Sequence, residues 1–315
     1  IDPSNPQVVY AGTQNGGVFK SVSGGTFWTA ASAGLKNTNL RPALAVDPSN
    51  PQTLYVGTDG GGLYKSTNGG TSWARADSGM TSFAERVVVA LAIDPSGPDT
   101  IYAGTKGGPF KTTNGGVSWK PISNGLTSPK VTVFAIHPFN PQIVYAGTGG
   151  GGVFKSVDGG ANWAPVNAGL SYTFINALAF DPSRPDTIYA GTWDFQFFKD
   201  GGIFKSTNGG GNWTKVDPWP GNMMIIALAV DPLNPQTVYA GMGGGVLKSP
   251  DGGSTWTMVN IGIPVNALAI DRTSPQTVYA GTNWGMFKSL NGGNSWAAAN
   301  IGLVNTDVRS FAVHP

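Results

Sequence analysis

The sequence contains no cysteine, so disulfides, thiolate chemistry and Cys-based metal sites are excluded. Histidine occurs only twice and glutamate once, at Glu85, in 315 residues. A His cluster for zinc cannot be built from that supply. No Asp-x-Asp-x-Asp run suggests a calcium loop, and no Gly-x-x-x-x-Gly-Lys-Ser/Thr loop precedes a helix. No metal and no cofactor are therefore expected. Charged residues make up 11% of the chain and the formal net charge is +2, which argues against nucleic acid as a partner. No run is long and apolar enough for a membrane span, and no signal peptide is recognisable, so membrane insertion is not expected. Sparse charge with abundant Thr, Ser, Asn and Gly suits an exported protein, extracellular or periplasmic. The chain opens at Ile1-Asp2-Pro3, in mid-repeat and without Met, so it is expected to be cut from a longer precursor. Nothing in it bears on oligomeric state.

What is present in excess is turn chemistry: 47 glycines and 23 prolines, without a Gly-X-Y period and beside 40% hydrophobic residues. One octapeptide, Ser/Thr-x-Asp/Asn-Gly-Gly-x-x-Trp, occurs seven times, ending at Trp28, Trp73, Trp119, Trp163, Trp213, Trp256 and Trp296. Only Ser23 departs from the acidic or amide position. Paired glycines supply positive φ, the Asp or Asn accepts hydrogen bonds from the turn, and the Trp anchors the returning strand in the core. Each unit offers four short segments of strand character bounded by Pro, Gly or Asn, and none leaves room for a long helix. Four-stranded units at this period predict an all-β propeller with seven blades.

As a single domain over 1–315, blade 1 combines 308–314 with 7–31. The other blades fall near 41–76, 87–122, 131–166, 175–216, 224–259 and 265–299. The C-terminal strand pairs with the N-terminal strands and closes the ring, which removes both exposed edges. Ile1-Asp2-Pro3 and Val313-His314-Pro315 match one repeat position, so one of them should lie outside the ladder.

With these boxes the chain resembles the Asp-box (bacterial neuraminidase repeat) β-propellers over essentially its whole length. That group includes sialidases, sortilin-type receptors, xyloglucan-degrading glycosidases and a photosystem II assembly factor. The phrase Asp-Pro-x-Asn-Pro-Gln-Thr-x-Tyr-Ala-Gly-Thr is most similar to the xyloglucanase and assembly-factor style. The resemblance implies boxes on one face and ligands on the other, but a shared fold does not choose among these functions.

Subtracting the repeat leaves three groups of candidates. Seven of nine tyrosines and seven of thirteen lysines vanish as scaffold, as do His137 and His314, which replace the repeat Asp before Pro. The first remainder is aromatic. Trp193, Phe195 and Phe197 lie in a loop insertion, Trp284 in the matching loop of another blade, and Trp219 between blades; such rings suit sugar stacking or partner docking. The second is basic. Arg309, Arg41, Arg86 and Lys130 precede the first strands of four consecutive blades and would form a positive arc able to take a carboxylate. The third is acidic. Asp59, in Thr58-Asp59-Gly60-Gly61, is similar to the catalytic-aspartate loop of the xyloglucanases, and Asp194 sits in the matching loop of another blade. Glycoside hydrolysis needs two carboxyl groups, and in the xyloglucanases the partner comes from a second propeller. A sialidase reading lacks its Tyr-Glu pair and Arg-Ile-Pro signature. The favoured expectation is non-catalytic binding of a glycan or partner protein. A glycoside hydrolase and a membrane-complex assembly factor are the alternatives.

Overall fold

The computed structural model describes residues 5–193, 201–219 and 223–311. Among them the chain forms seven four-stranded antiparallel sheets and no helix. Blade 2 runs outward from the axis through Leu40–Val46, Leu54–Thr58, Leu63–Ser66 and Ala74–Arg75. The innermost strands pack side by side in a complete circuit, blade 7 against blade 1 and blade 1 against blade 2. The seal is the expected one: Val308–Phe311 pairs antiparallel with Val9–Thr13, placing Ala11 opposite Phe311. The competing end segments, 1–3 and 313–315, fall outside the described residues, His314 among them.

The second strand of each blade is sandwiched between neighbouring blades, so both its faces are apolar and nearly every residue is buried. Its glycine is needed for close approach. A Cβ at Gly147 would lie 2.7 Å from the Ile175 side chain on the next blade's inner strand. Core clusters therefore form between blades rather than within them. Trp73 of blade 2 packs with Tyr10 and Val18 of blade 1.

The box builds the joint. In blade 2 the Ser66 hydroxyl accepts from the Gly70 N–H, and the Asn68 side chain accepts from the Ser72 N–H. Ser23 does the work of the missing Asn in blade 1, its hydroxyl accepting from the Phe27 N–H. Both glycines of every box have positive φ. The first box glycine is gripped from two sides. Its N–H donates to a carbonyl in its own blade's turn between strands one and two, as from Gly69 to Gln52. Its carbonyl accepts from the Tyr and the Lys of the preceding blade, as at Gly69 from Tyr10 Oη (3.1 Å) and Lys20 Nζ (2.9 Å). This double grip recurs at all seven joints, the last carrying Tyr279 and Lys288 of blade 7 to Gly24 of blade 1. Each Lys Nζ also sits over its own blade's Tyr ring, 5.2–5.8 Å from the centroid. Burial pushes the phenols of Tyr189, Tyr239 and Tyr279 up to about 12, so they remain donors at any physiological pH.

The box Trp adds a third link, its indole N–H donating to a backbone carbonyl of the preceding blade, as from Trp213 to Val166 (2.8 Å). Six boxes do this. Trp296 is the exception: its indole reaches only Gly293 of its own box, and its ring is half-buried. The connection after the outer strand also differs in its steric surroundings. A Cβ at Gly34, Gly79, Gly125, Gly169 or Gly302 would strike the next blade's Trp carbonyl, whereas a Cβ built on Gly262 would meet no heavy atom within 4 Å. The joint between blades 6 and 7 thus lacks the indole link that the other six joints have.

His137 stands where most other blades have Asp, and Nδ1 accepts from the Phe139 and Asn140 N–H groups, as Asp47 Oδ1 does from Ser49 and Asn50. An imidazole can do this only with Nδ1 unprotonated. Burial lowers its pKa from the usual 6.5.

Two predictions follow from this architecture. Trp213→Ala should cost about 3–5 kcal/mol in urea unfolding and Trp296→Ala distinctly less, about 1–2 kcal/mol, because the second ring is partly solvated and makes no bond across the joint. Equal losses would contradict the unequal joints. The depressed pKa of His137 means that its contribution is complete above pH 6.5 and is lost as pH falls through the lower folded value. Stability below pH 6.5 should therefore fall more steeply in the native chain than in His137→Asp; parallel pH profiles would count against this role.

Candidate functional site on the loop end of the ring

The boxes and the turns between strands one and two occupy one end of the ring, joined by bonds such as Gly69 N–H to Gln52. The turns between strands two and three and the connections between blades occupy the other. The basic candidates lie at this loop end, but not as the sequence spacing implies. Arg41 and Arg309 lie within the inner strands Leu40–Val46 and Val308–Phe311, not before them. For Arg41 the reason is a bulge, whereas Arg309 follows the ordinary register of the other blades. Elsewhere three steps on the inner strand oppose two on its partner, as from Val88 to Leu91 against Thr105 to Ala103. In blade 2, four steps, Leu40 to Leu44, oppose Thr58 to Val56, so blade 2 accommodates one more residue at Arg41-Pro42. Arg86 and Lys130 do precede their strands, Val88–Ile93 and Val131–Ile136.

Each of these cations already has company. Arg41 Nη2 lies 2.6 Å from Asp59 Oδ2, and Arg309 Nη2 lies 2.7 Å from Asp307 Oδ2 and from Gln14 Oε1. Asp77 receives Arg75 through Nε and Nη2, both at 2.7 Å, with Arg86 Nε at 3.7 Å. The Asp77 carboxylate raises the pKa of Arg75. Lys130 Nζ sits 5.2 Å from the centre of the Phe174 ring. The arc is thus a row of partly exposed ion pairs rather than a bare positive surface. Such pairs contribute only about 0–1 kcal/mol to stability. The Nε atoms of Arg41 and Arg309, on adjacent inner strands, are buried without a hydrogen-bond partner. They are donors that the fold itself does not use.

Asp59 is held as well as paired. Its backbone N–H donates to Asn39, and its side chain accepts from Asn39 Nδ2 at 3.3 Å in addition to Arg41. Asp194 lies outside the described residues, as do Phe195 and Phe197. Among the described residues no group of three or more His, Cys, Asp and Glu could hold a metal ion.

The aromatic candidates separate. Trp193 is partly buried and meets Phe174 edge-on, centroids 6.1 Å apart, so that Lys130, Phe174 and Trp193 form one continuous corner across blades 4 and 5. Trp284 is 70% exposed at the tip of the turn joining the second and third strands of blade 7. Its backbone N–H donates to Thr282 Oγ1, and the neighbouring Asn283 accepts from Asn266 Nδ2, which ties the turn to the inner strand. Blade 6 separates these two sites. Trp219 packs half-buried against the core cluster that contains Trp256, and its carbonyl accepts from Lys215 Nζ. Sequence reasoning passed over Phe83. Its ring is 72% exposed and covers Gly60 next to Asp59, where a Cβ on Gly60 would meet it at 2.4 Å. The signal was available: residues 81–86 lengthen the connection between blades 2 and 3, as the Trp193 insertion lengthens its own loop. Glu85 shapes that connection by accepting from the Thr81 and Ser82 N–H groups, which hold its carboxyl below the usual range.

Seven boxes on a closed ring of seven blades define an Asp-box β-propeller. The family model for sortilin, neurotensin receptor 3 (Sortilin-Vps10) matches residues 107–217. No curated protein matches the chain. Among solved structures, the GH74 xyloglucanase from Xanthomonas campestris is similar at 21% identity and TM-score 0.78, over 96% of this chain and 54% of that one. The chain thus spans about half the length of that enzyme. YCF48 from Cyanidioschyzon merolae is similar at 15% identity and TM-score 0.61, over 82% and 84% of the two chains, and YCF48 is also known bound to a D1 peptide. The extracellular domain of the BT4673 hybrid two component system from B. thetaiotaomicron is similar at 18% identity and TM-score 0.67, over 90% and 36%. Likeness at these identities establishes the fold.

Proposed function

We propose that this propeller, with residues 1–315 acting as one domain, is a non-catalytic binding module. It takes a glycan or a partner protein on its loop end, outside the cell or in a periplasm. The observation that carries this reading is Trp284, whose indole is 70% exposed on a turn braced from below by Asn283 and Asn266. A large ring held out on a rigid support presents a stacking or docking surface at low entropic cost. The Trp193 corner adds a second contact, and the partly exposed guanidinium groups of Arg41 and Arg309 add affinity for carboxylates. The setting draws on the extracellular similar domain, and no helix among the described residues is long and apolar enough to cross a membrane.

A second reading, a glycoside hydrolase completed by another domain, draws on the Asp59 loop and on the chain's span of about half the xyloglucanase. Against it stands the ion pair that already occupies Asp59.

Glycan-array binding tests the first reading. Trp284→Ala and Trp193→Ala should each lower retention at least tenfold, an effect of about 1.4 kcal/mol or more. Absence of any glycan binding would leave the partner-protein form, to be sought by pull-down with the same variants as controls. Reducing-sugar release from xyloglucan that is lost in Asp59→Asn would overturn the binding reading in favour of the enzyme.

A further inference from the structure

Six Asn-Gly pairs occur in the chain, at Asn15, Asn68, Asn114, Asn124, Asn208 and Asn291. In such a pair the backbone nitrogen of the Gly can attack the side-chain amide carbon of the Asn. Gly leaves that approach open, because it has no Cβ. The attack needs two freedoms. The nitrogen must not be committed to another acceptor, and the Asn amide must be able to turn towards it.

The box removes both freedoms from four of the pairs. The N–H groups of Gly69, Gly115, Gly209 and Gly292 donate to carbonyls of Gln52, Asp99, Asp186 and Gln276 at 2.8–3.0 Å. The Asn side chains are held inside their own boxes. Asn68 Oδ1 accepts from Ser66 Oγ and from the Ser72 N–H, both at 2.9 Å, and Asn114, Asn208 and Asn291 repeat the pattern. Asn124 is held across a joint: its carbonyl accepts from the Trp163 N–H and its Nδ2 donates to Asn162 Oδ1.

Asn15-Gly16 has neither restraint. The pair lies in the turn between Val9–Thr13 and Gly17–Ser21, at the loop end of blade 1. Asn15 is exposed, and among the described residues nothing bonds to its side chain or accepts from the Gly16 N–H. It is the one non-glycine with positive φ among the described residues, at 66°. Gly16 and Gly17 follow it, so the backbone there can rotate. Thr38 Oγ1 donates to the Asn15 carbonyl at 3.1 Å. That bond stabilises the negative charge that develops on the peptide when the Gly16 N–H gives up its proton.

We propose that Asn15 is the site of spontaneous deamidation in the folded protein. The Gly16 nitrogen forms a bond to Asn15 Cγ, and the bond from Cγ to the amide nitrogen breaks. The amide nitrogen leaves as ammonia with the proton from Gly16, and a five-membered succinimide remains. Water then adds to one of the two ring carbonyls and opens the ring to aspartate or isoaspartate at position 15. Either product places a new negative charge beside Gln14, whose Oε1 holds Arg309 at 2.7 Å. Isoaspartate also lengthens the backbone by one methylene. It does so in a turn tied to the next connection through Thr38, which bonds Asn15 and the Gly17 N–H. The site stands whether or not the loop end binds a glycan or a protein.

Peptide mapping by mass spectrometry tests the assignment, after incubation of the native chain in mildly alkaline buffer. In the folded chain the Asn15 peptide should convert at least about tenfold faster than any other Asn-Gly peptide, a barrier difference of about 1.4 kcal/mol. In urea all six should convert at similar rates, because the box bonds are gone. Labelling by an isoaspartyl methyltransferase should follow the same order, and Asn15→Gln should remove most of the label from the folded chain. The proposal is overturned if a box Asn reacts as fast as Asn15 in the folded chain. It is also overturned if Asn15 stays intact while the unfolded chain reacts, or if its lead persists in urea.

Discussion

One carbonyl oxygen per blade carries the architecture. The first glycine of each box offers its carbonyl to the Tyr hydroxyl and Lys ammonium of the preceding blade, while its N–H is bound to its own blade. A buried carbonyl with two acceptor sites is costly to leave unpaired. Here both are filled, one by a charged donor, and the ammonium also lies on the Tyr ring. Each joint therefore needs residues from two blades, and no blade is complete alone. The seventh joint joins Tyr279 and Lys288 to Gly24, residues more than 250 apart in sequence. The ring is thus closed by side chains as well as by the exchanged strand Val308–Phe311.

That constraint divides the labour between the two ends. At the box end, the turns, the paired glycines and the Asp or Asn side chains are committed to holding blades together, and substitution there acts on stability. At the loop end the connections are free to vary. That is where the bulge at Arg41-Pro42, the insertion that starts at Trp193, the long connection bearing Phe83 and the projecting Trp284 occur. The axis belongs to neither end. Its wall consists of the inner strands that each blade contributes to the ring, and its apolar character follows from their packing against the neighbouring blades.

Much of this was legible in the linear chain. Seven Trp anchors at a steady period give blade number, and the phase of the ends gives closure, because an unpaired edge at blade 1 has a single complement in the chain. The lysines could be set aside as scaffold from their recurrence, and His137 could be read as a substitute for Asp, since Nδ1 and a carboxylate oxygen accept alike. The candidate site was less legible. Arg41, Asp59 and Asn39 look like separate loop residues until the bulge in the inner strand turns the arginine onto its own blade's aspartate. Trp219 and Trp284 look alike in sequence, yet one packs into a core cluster and the other projects.

The amino-acid sequence by itself determined the fold, the number of blades and the residues that make the joints, because these depend on local turn chemistry repeated at a fixed period. The tertiary structure alone decided which charges neutralise one another, which aromatic rings stay exposed and which joint lacks its indole link. Those properties arise from distances between residues of different blades. A repeat pattern carries no information about such distances until the ring has closed.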